Sequence, residues 1–181
     1  MNFSNEQKLI ITLLTDIHAH LDIQGSVDPT FVQKVVELDQ CWALEWKYPG
    51  LFSEEETPAS VQFVADTLDL WETLEISYNR LEAGEKDELS RLAEPFGDNV
   101  VFPGFDGHTQ YLGIAKILIN DLDRWEHFKG HKLDAHAPTT DGYRRMIECY
   151  KQLPREVRFD RDLNVEEIAQ LLKERVHPSC R

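Results

Sequence analysis

Cysteine is scarce in this 181-residue chain: Cys41, Cys149 and Cys180 are odd in number, far apart and never in a Cys-x-x-Cys pair. That pattern implies a reduced cytosol rather than a disulfide framework. Long apolar runs are missing too. No stretch approaches the ~20 residues that span a bilayer, and Met1-Asn2-Phe3-Ser4-Asn5-Glu6 places no basic region ahead of an apolar one. The chain is therefore read as cytoplasmic, neither exported nor membrane-spanning. Catalytic signatures are also absent: there is no Gly-x-Ser-x-Gly elbow, no Walker loop and no dinucleotide fingerprint.

Positive charge is lacking in the first half. Residues 1–100 carry 20 Asp/Glu against 6 Lys/Arg, residues 101–181 carry 13 against 13, and the net charge is −14. An acidic surface repels phosphate backbones, which argues against nucleic acid as a partner. With 41% apolar and 29% charged residues the composition is that of a chain that folds by itself, and its length suits a single domain over 1–181.

What is present is a succession of helix signals. Ser4 and Gln7 form a capping box ahead of Leu9, Ile10, Leu13, Leu14, Ile17 and Leu21, a helical stripe that runs to Gly25. Asp28-Pro29 opens a second helix through Phe31, Val32, Val35, Val36, Leu38 and Trp42 to about Glu45. After Tyr48-Pro49-Gly50, the acidic run Glu54-Glu55-Glu56 and Thr57-Pro58 start a long third helix ending near Gly84, and residues 85–92 read as a short helix or a linker. Residues 97–107 are too rich in Gly and Pro for a helix and form an apolar loop. A hydrophobic helix follows over Tyr111 to Leu122. Another begins at Thr139 or Thr140 and runs to Pro154, and Asn164 with Glu167 caps a last one at 165–176. Six or seven helices without an alternating strand pattern make an all-α multihelical array.

The order Phe102-Pro-Gly104-Phe105-Asp106, Tyr111-Leu112-Gly113, His127-Phe128, Pro138, Tyr143 and Arg145-Met146 resembles the YfbU family of small bacterial proteins. The opening Asn5-Glu6-Gln7-Lys8-Leu9-Ile10 and the stretch Leu74 to Leu81 are similar too, so the likeness covers nearly the whole chain. It implies a helical cytoplasmic bacterial protein, brings no catalytic rule, and carries a loose link to bacterial cell death. The histidine-rich 127–136 connection and the acidic 85–99 segment depart from the family pattern.

Four groups of residues are candidates for a site. Phe102, Gly104, Phe105, Asp106 and Tyr111, with Arg124, Tyr143 and Arg145 later in the chain, could line a pocket; the favoured alternative has the two phenylalanines anchoring the loop and Asp106 capping the next helix. His127, His131 and His136 have spacings that approach those of zinc ligands, though Gly130 and Lys132 between them favour turn and hydrogen-bonding roles. The His18-Ala-His20 pair lies on a helix, where residues two apart diverge by about 200° and do not share an ion. Trp42 and Trp46, four apart on one helix face, are a candidate association patch with Tyr48 and Phe52.

The leading expectation is a non-enzymatic interaction or regulatory protein that forms a homo-oligomer, a dimer first, or binds another protein, with no cofactor. The alternative is a small metal-dependent or pocket-based enzyme centred on residues 104–136, and whether the chain is an enzyme stays open. A third reading puts nucleic acid on Arg144, Arg145, Lys151, Arg155, Arg158 and Arg161.

Overall fold

Helix α1, Asn5–His20, starts where Ser4 closes a reciprocal cap: its Oγ accepts the Gln7 N–H at 3.3 Å and the Gln7 Oε1 accepts the Ser4 N–H at 2.9 Å. Eight further α-helices follow among the residues that the computed structural model describes, 3–51, 56–177 and 179. They are α2 Pro29–Glu37, α3 Trp42–Lys47, α4 Ala59–Arg80, α5 Ala83–Leu92, α6 Gln110–Lys116, α7 Thr140–Gln152, α8 Arg155–Phe159 and α9 Val165–Lys173. Helix takes up 61% of the residues and no strand occurs among those described, so the fold is all-α. Phe52, Glu54, Glu55 and Cys180, named above, lie outside the described residues.

Packing groups the chain, read from sequence as one domain, into two compact units: 1–59 with 116–124, and 60–115 with 125–181. In the first unit, α1 packs on α2 and α2 on α3. Asp28 caps α2 by accepting the Thr30 and Phe31 N–H groups at 3.0 and 3.2 Å. The second helix expected from sequence is broken in two, because Asp39 takes a left-handed conformation at φ 55° and turns the chain between α2 and α3. Phe31, Val35, Val36, Cys41, Ala43, Leu44 and Ile117 form the core of this unit. Ile117 belongs to a π-helical turn, Ile117–Asp121, that prolongs α6. Lys34 pairs with Asp121 at 2.6 Å.

In the second unit α4 buries Val61, Val64, Leu68, Trp71 and Leu74 along one face, which follows from their i, i+3, i+7 spacing. Helices α5 and α7 both pack on α9. The 85–92 segment is helical as α5, and α8 is an addition that the sequence reading did not contain. Asn164 and Glu167 close the expected capping box on α9, whereas Thr139 makes no side-chain cap on α7.

Candidate functional site

The loop after α5 builds the aromatic centre of the second unit. Phe102, Phe105, Phe128, Trp71 and Tyr143 are all buried, with Phe102 ring centroids 5.4, 5.1 and 5.8 Å from those of Phe105, Phe128 and Trp71. The backbone of this loop pairs with a second segment: the Phe105 N–H donates to the Leu133 carbonyl at 2.8 Å, and the Ala135 N–H to the Phe105 carbonyl at 2.9 Å. Gly104 is needed there. Its φ is 95°, and a Cβ would fall 2.4 Å from the carbonyl carbon and oxygen of Leu133.

Of the eight residues proposed for a pocket, Phe102, Gly104, Phe105 and Tyr143 come together as packed core. Asp106 turns the loop, accepting the His108 N–H on its carboxylate at 2.9 Å and the Thr109 N–H on its carbonyl at 3.1 Å. Tyr111 is half-buried, with its hydroxyl accepting from Arg144 at 3.1 Å. Arg145 serves the end of α9, donating to the Glu174 and Arg175 carbonyls at 2.9 and 3.1 Å. Arg124 belongs to the first unit, where its guanidinium lies 4.9 Å over the Trp46 ring.

The histidines are placed differently from one another. His127 Nε2 lies 2.5 Å from the buried Glu75 carboxylate, whose other oxygen accepts the Phe102 N–H at 2.6 Å. His131 sits beside it, ring centroids 5.6 Å apart, while exposed His136 faces Asp134 at 3.3 Å. Among the described residues no three His, Cys, Asp or Glu side chains converge to hold a metal ion. Glu75 was not visible as special from sequence, where it is one acidic residue among many on α4.

A cleft of about 410 Å³ in the same unit has no signature in the sequence; Asp66, Asp69, Glu72, Lys151 and Arg158 line it together with Thr73, Ile147 and Tyr150. Burial pushes the Asp69 carboxyl above its usual range, against a hydrogen bond from the Trp125 indole at 2.7 Å. Lys151 is paired with Asp66 at 2.6 Å and Arg161 with Glu167 at 2.6 Å. With Arg144 and Arg145 occupied as above, much of the suggested basic stripe is engaged within the chain.

The first unit presents a different feature. Lys8, Ile11 and Thr15 turn α1 inward: Lys8 pairs with Asp39, Ile11 packs on the core, and the Thr15 hydroxyl reaches Gln33 at 3.3 Å. On the other side Leu9, Ile10, Leu13, Leu14, Ile17 and Leu21 are each between 54% and 63% exposed. The helix is thus apolar on the side away from its own core. Trp42 and Trp46 are half-buried and pack edge to face on one another, centroids 5.6 Å apart, with the Trp42 indole donating to Gln40 at 2.6 Å.

A family model described as the YfbU domain matches residues 1–174. The chain belongs to the YfbU family. No solved structure matches it. The match takes in both units of this YfbU protein, so the α1 face and the aromatic loop lie within the family's domain. No described helix of the YfbU chain is long and apolar enough to cross a membrane.

Proposed function

We propose that this YfbU protein is a non-enzymatic interaction or regulatory protein of the bacterial cytoplasm, acting through protein–protein contacts as a homo-oligomer. The exposed apolar side of α1 carries this reading. A Leu or Ile side chain more than half exposed leaves on the order of 100 Å² to water, so six leave on the order of 600 Å², at the upper end of patches on ordinary monomers. Hydration of that much apolar surface is unfavourable, and a partner that covers it gains about 25 cal/mol per Å². The support comes from this face more than from Trp42 and Trp46, whose rings already cover one another.

Within residues 104–136, the region of the enzyme reading, Phe105 is packed in the core, Asp106 turns its loop and His127 meets the Glu75 carboxylate, which favours the interaction reading. Native mass spectrometry of the gently purified full chain tests the proposal. A mass above one 21.0 kDa chain, from a second copy or another protein, supports it. A single-chain mass at every concentration, with no protein recovered on the chain from cell extract, sinks it.

A further inference from the structure

We infer that the exposed face of α1 is covered by the same face of a second copy, the two helices lying antiparallel about a two-fold axis at Leu13. This rests on the reading of the chain as an interaction protein and adds its partner and register.

The argument begins with the two sides of the helix. At 100° per residue, Leu9, Ile10, Leu13, Leu14, Ile17 and Leu21 occupy an arc of roughly 140°, nearly opposite the inward Lys8, Ile11 and Thr15. The continuous stripe of about 600 Å² approaches the ~800 Å² that each partner gives to a standard interface, so rim residues complete it without a further apolar surface.

The charges within the arc select the partner. Only Glu6, near the start of the helix, and His20, at its end, interrupt the apolar side. A two-fold axis through Leu13 sets Leu9 opposite the partner's Ile17 and Glu6 opposite the partner's His20. Leu13 then meets its own copy, so this line of the stripe is self-complementary, as an isologous interface requires, while Ile10, Leu14 and Leu21 lie to one side of it. The Ser4 hydroxyl, donating to Glu6 at 2.7 Å, holds that carboxyl below its usual pKa range and so in the charged state that a cation or N–H donor faces. Antiparallel helices also oppose their dipoles favourably. A parallel pair would instead set Glu6 against Glu6. The chain as a whole, at net charge −14, repels a second copy, which leaves this nearly neutral strip as the place where two copies approach at least electrostatic cost.

Sedimentation of the full chain and oxidative cross-linking of single-cysteine additions test this together. The expected result is a two-chain species whose dissociation constant rises at least about 30-fold on Leu13→Asp, with helix content unchanged by circular dichroism. Leu13→Cys should form a disulfide-linked dimer under mild oxidation, beyond the background of the unsubstituted chain, because the axis brings the two copies of that position together. Glu6→Lys should weaken the dimer by about 1.5- to 5-fold, and adding His20→Glu should restore it.

If Leu13→Asp does not fold, the Leu13→Cys cross-link and the charge swap decide. A two-chain species indifferent to Leu13→Asp and without the cross-link overturns the α1 pairing while leaving the interaction reading intact. A chain that stays monomeric overturns it as well: Leu13→Asp then unfolds the monomer if the face is covered within the chain, and leaves it stable if the face belongs to a different protein.

Discussion

The Tyr143 hydroxyl donates to the Gly104 carbonyl at 2.7 Å and ties α7 to the aromatic loop across 39 positions of sequence. Burial pushes the phenol well above its ordinary pKa, so the donor keeps its proton through any physiological pH. Tyr143→Phe keeps the ring contacts with Trp71 and Phe105 and leaves a buried carbonyl without its partner. The expected loss is about 1–3 kcal/mol in chemical denaturation, at unchanged helix content.

Gly104 itself makes a sharper test. An alanine there combines a left-handed φ of 95° with a Cβ inside the Leu133 backbone, so Gly104→Ala should cost about 3 kcal/mol or more. Gly130→Ala is the matched control. Its φ is 83° but nothing lies within 4 Å of the added carbon, and the cost should fall to about 1 kcal/mol. Equal losses in the two variants would show that the contact with Leu133 contributes nothing.

These residues also mark how far the sequence could be read. Ser4 with Gln7, Asp28 with Pro29, and Asn164 with Glu167 are local signals, and each begins a helix where expected. The break at Asp39 left no trace, because the apolar stripe continues from Val36 through Leu38 to Trp42 as though the helix did. The π-helical turn at Ile117–Asp121 is hidden for a similar reason: in an apolar run, one extra residue per turn changes no visible pattern. The packing role of Phe102 and Phe105 was foreseen as an alternative to a pocket, since buried loop aromatics are common. Glu75 was not, because a single buried carboxylate looks like its solvated neighbours until the fold brings Phe102 and His127 to it. On α1 the apolar positions were legible but their direction was not. The signal lay in the width of the stripe: with Ile11 added to Leu9, Ile10, Leu13 and Leu14, the helix has more apolar sides than one core uses.

Glu75 is expected to matter more than any other acidic residue of α4. Its carboxylate satisfies the Phe102 N–H and meets His127, so Glu75→Ala leaves a buried N–H without its acceptor, removes the partner of a half-buried imidazole, and should cost about 1–3 kcal/mol. Glu75→Gln retains an acceptor for Phe102 and should recover half or more of that. Urea denaturation of the two variants measures the difference. A loss from Glu75→Ala no larger than from Glu72→Ala on the same helix would contradict it.

Acid sensitivity should reside partly in α9. The bidentate hydrogen bonds from Arg161, at 2.6 and 2.8 Å, hold the Glu167 carboxyl below its usual range, and the Asn164 N–H at 2.9 Å adds to this. A carboxyl with a lowered folded pKa contributes stability that is complete above its unfolded value of about 4.3 and disappears as pH falls through the folded one. Glu167→Gln preserves the capping-box geometry and removes the titration. The variant should therefore melt below the parent at neutral pH, and the two should converge toward about pH 3. A gap that stays constant over that range would assign the effect to packing instead.

Trp46 separates the two apolar surfaces of the first unit. Its ring is held edge to face by Trp42 and covered by the Arg124 guanidinium at 4.9 Å, so it contributes within the chain before it can contribute to any neighbour. Trp46→Ala should lower stability by about 1–3 kcal/mol through the lost aromatic pair and cation–π contact. The mass in solution should not change, because the exposed side of α1 is untouched. The opposite pattern, dissociation at full stability, would transfer the interface from α1 to the tryptophan pair, since a ring that holds only its own unit together cannot be removed without loss to the fold.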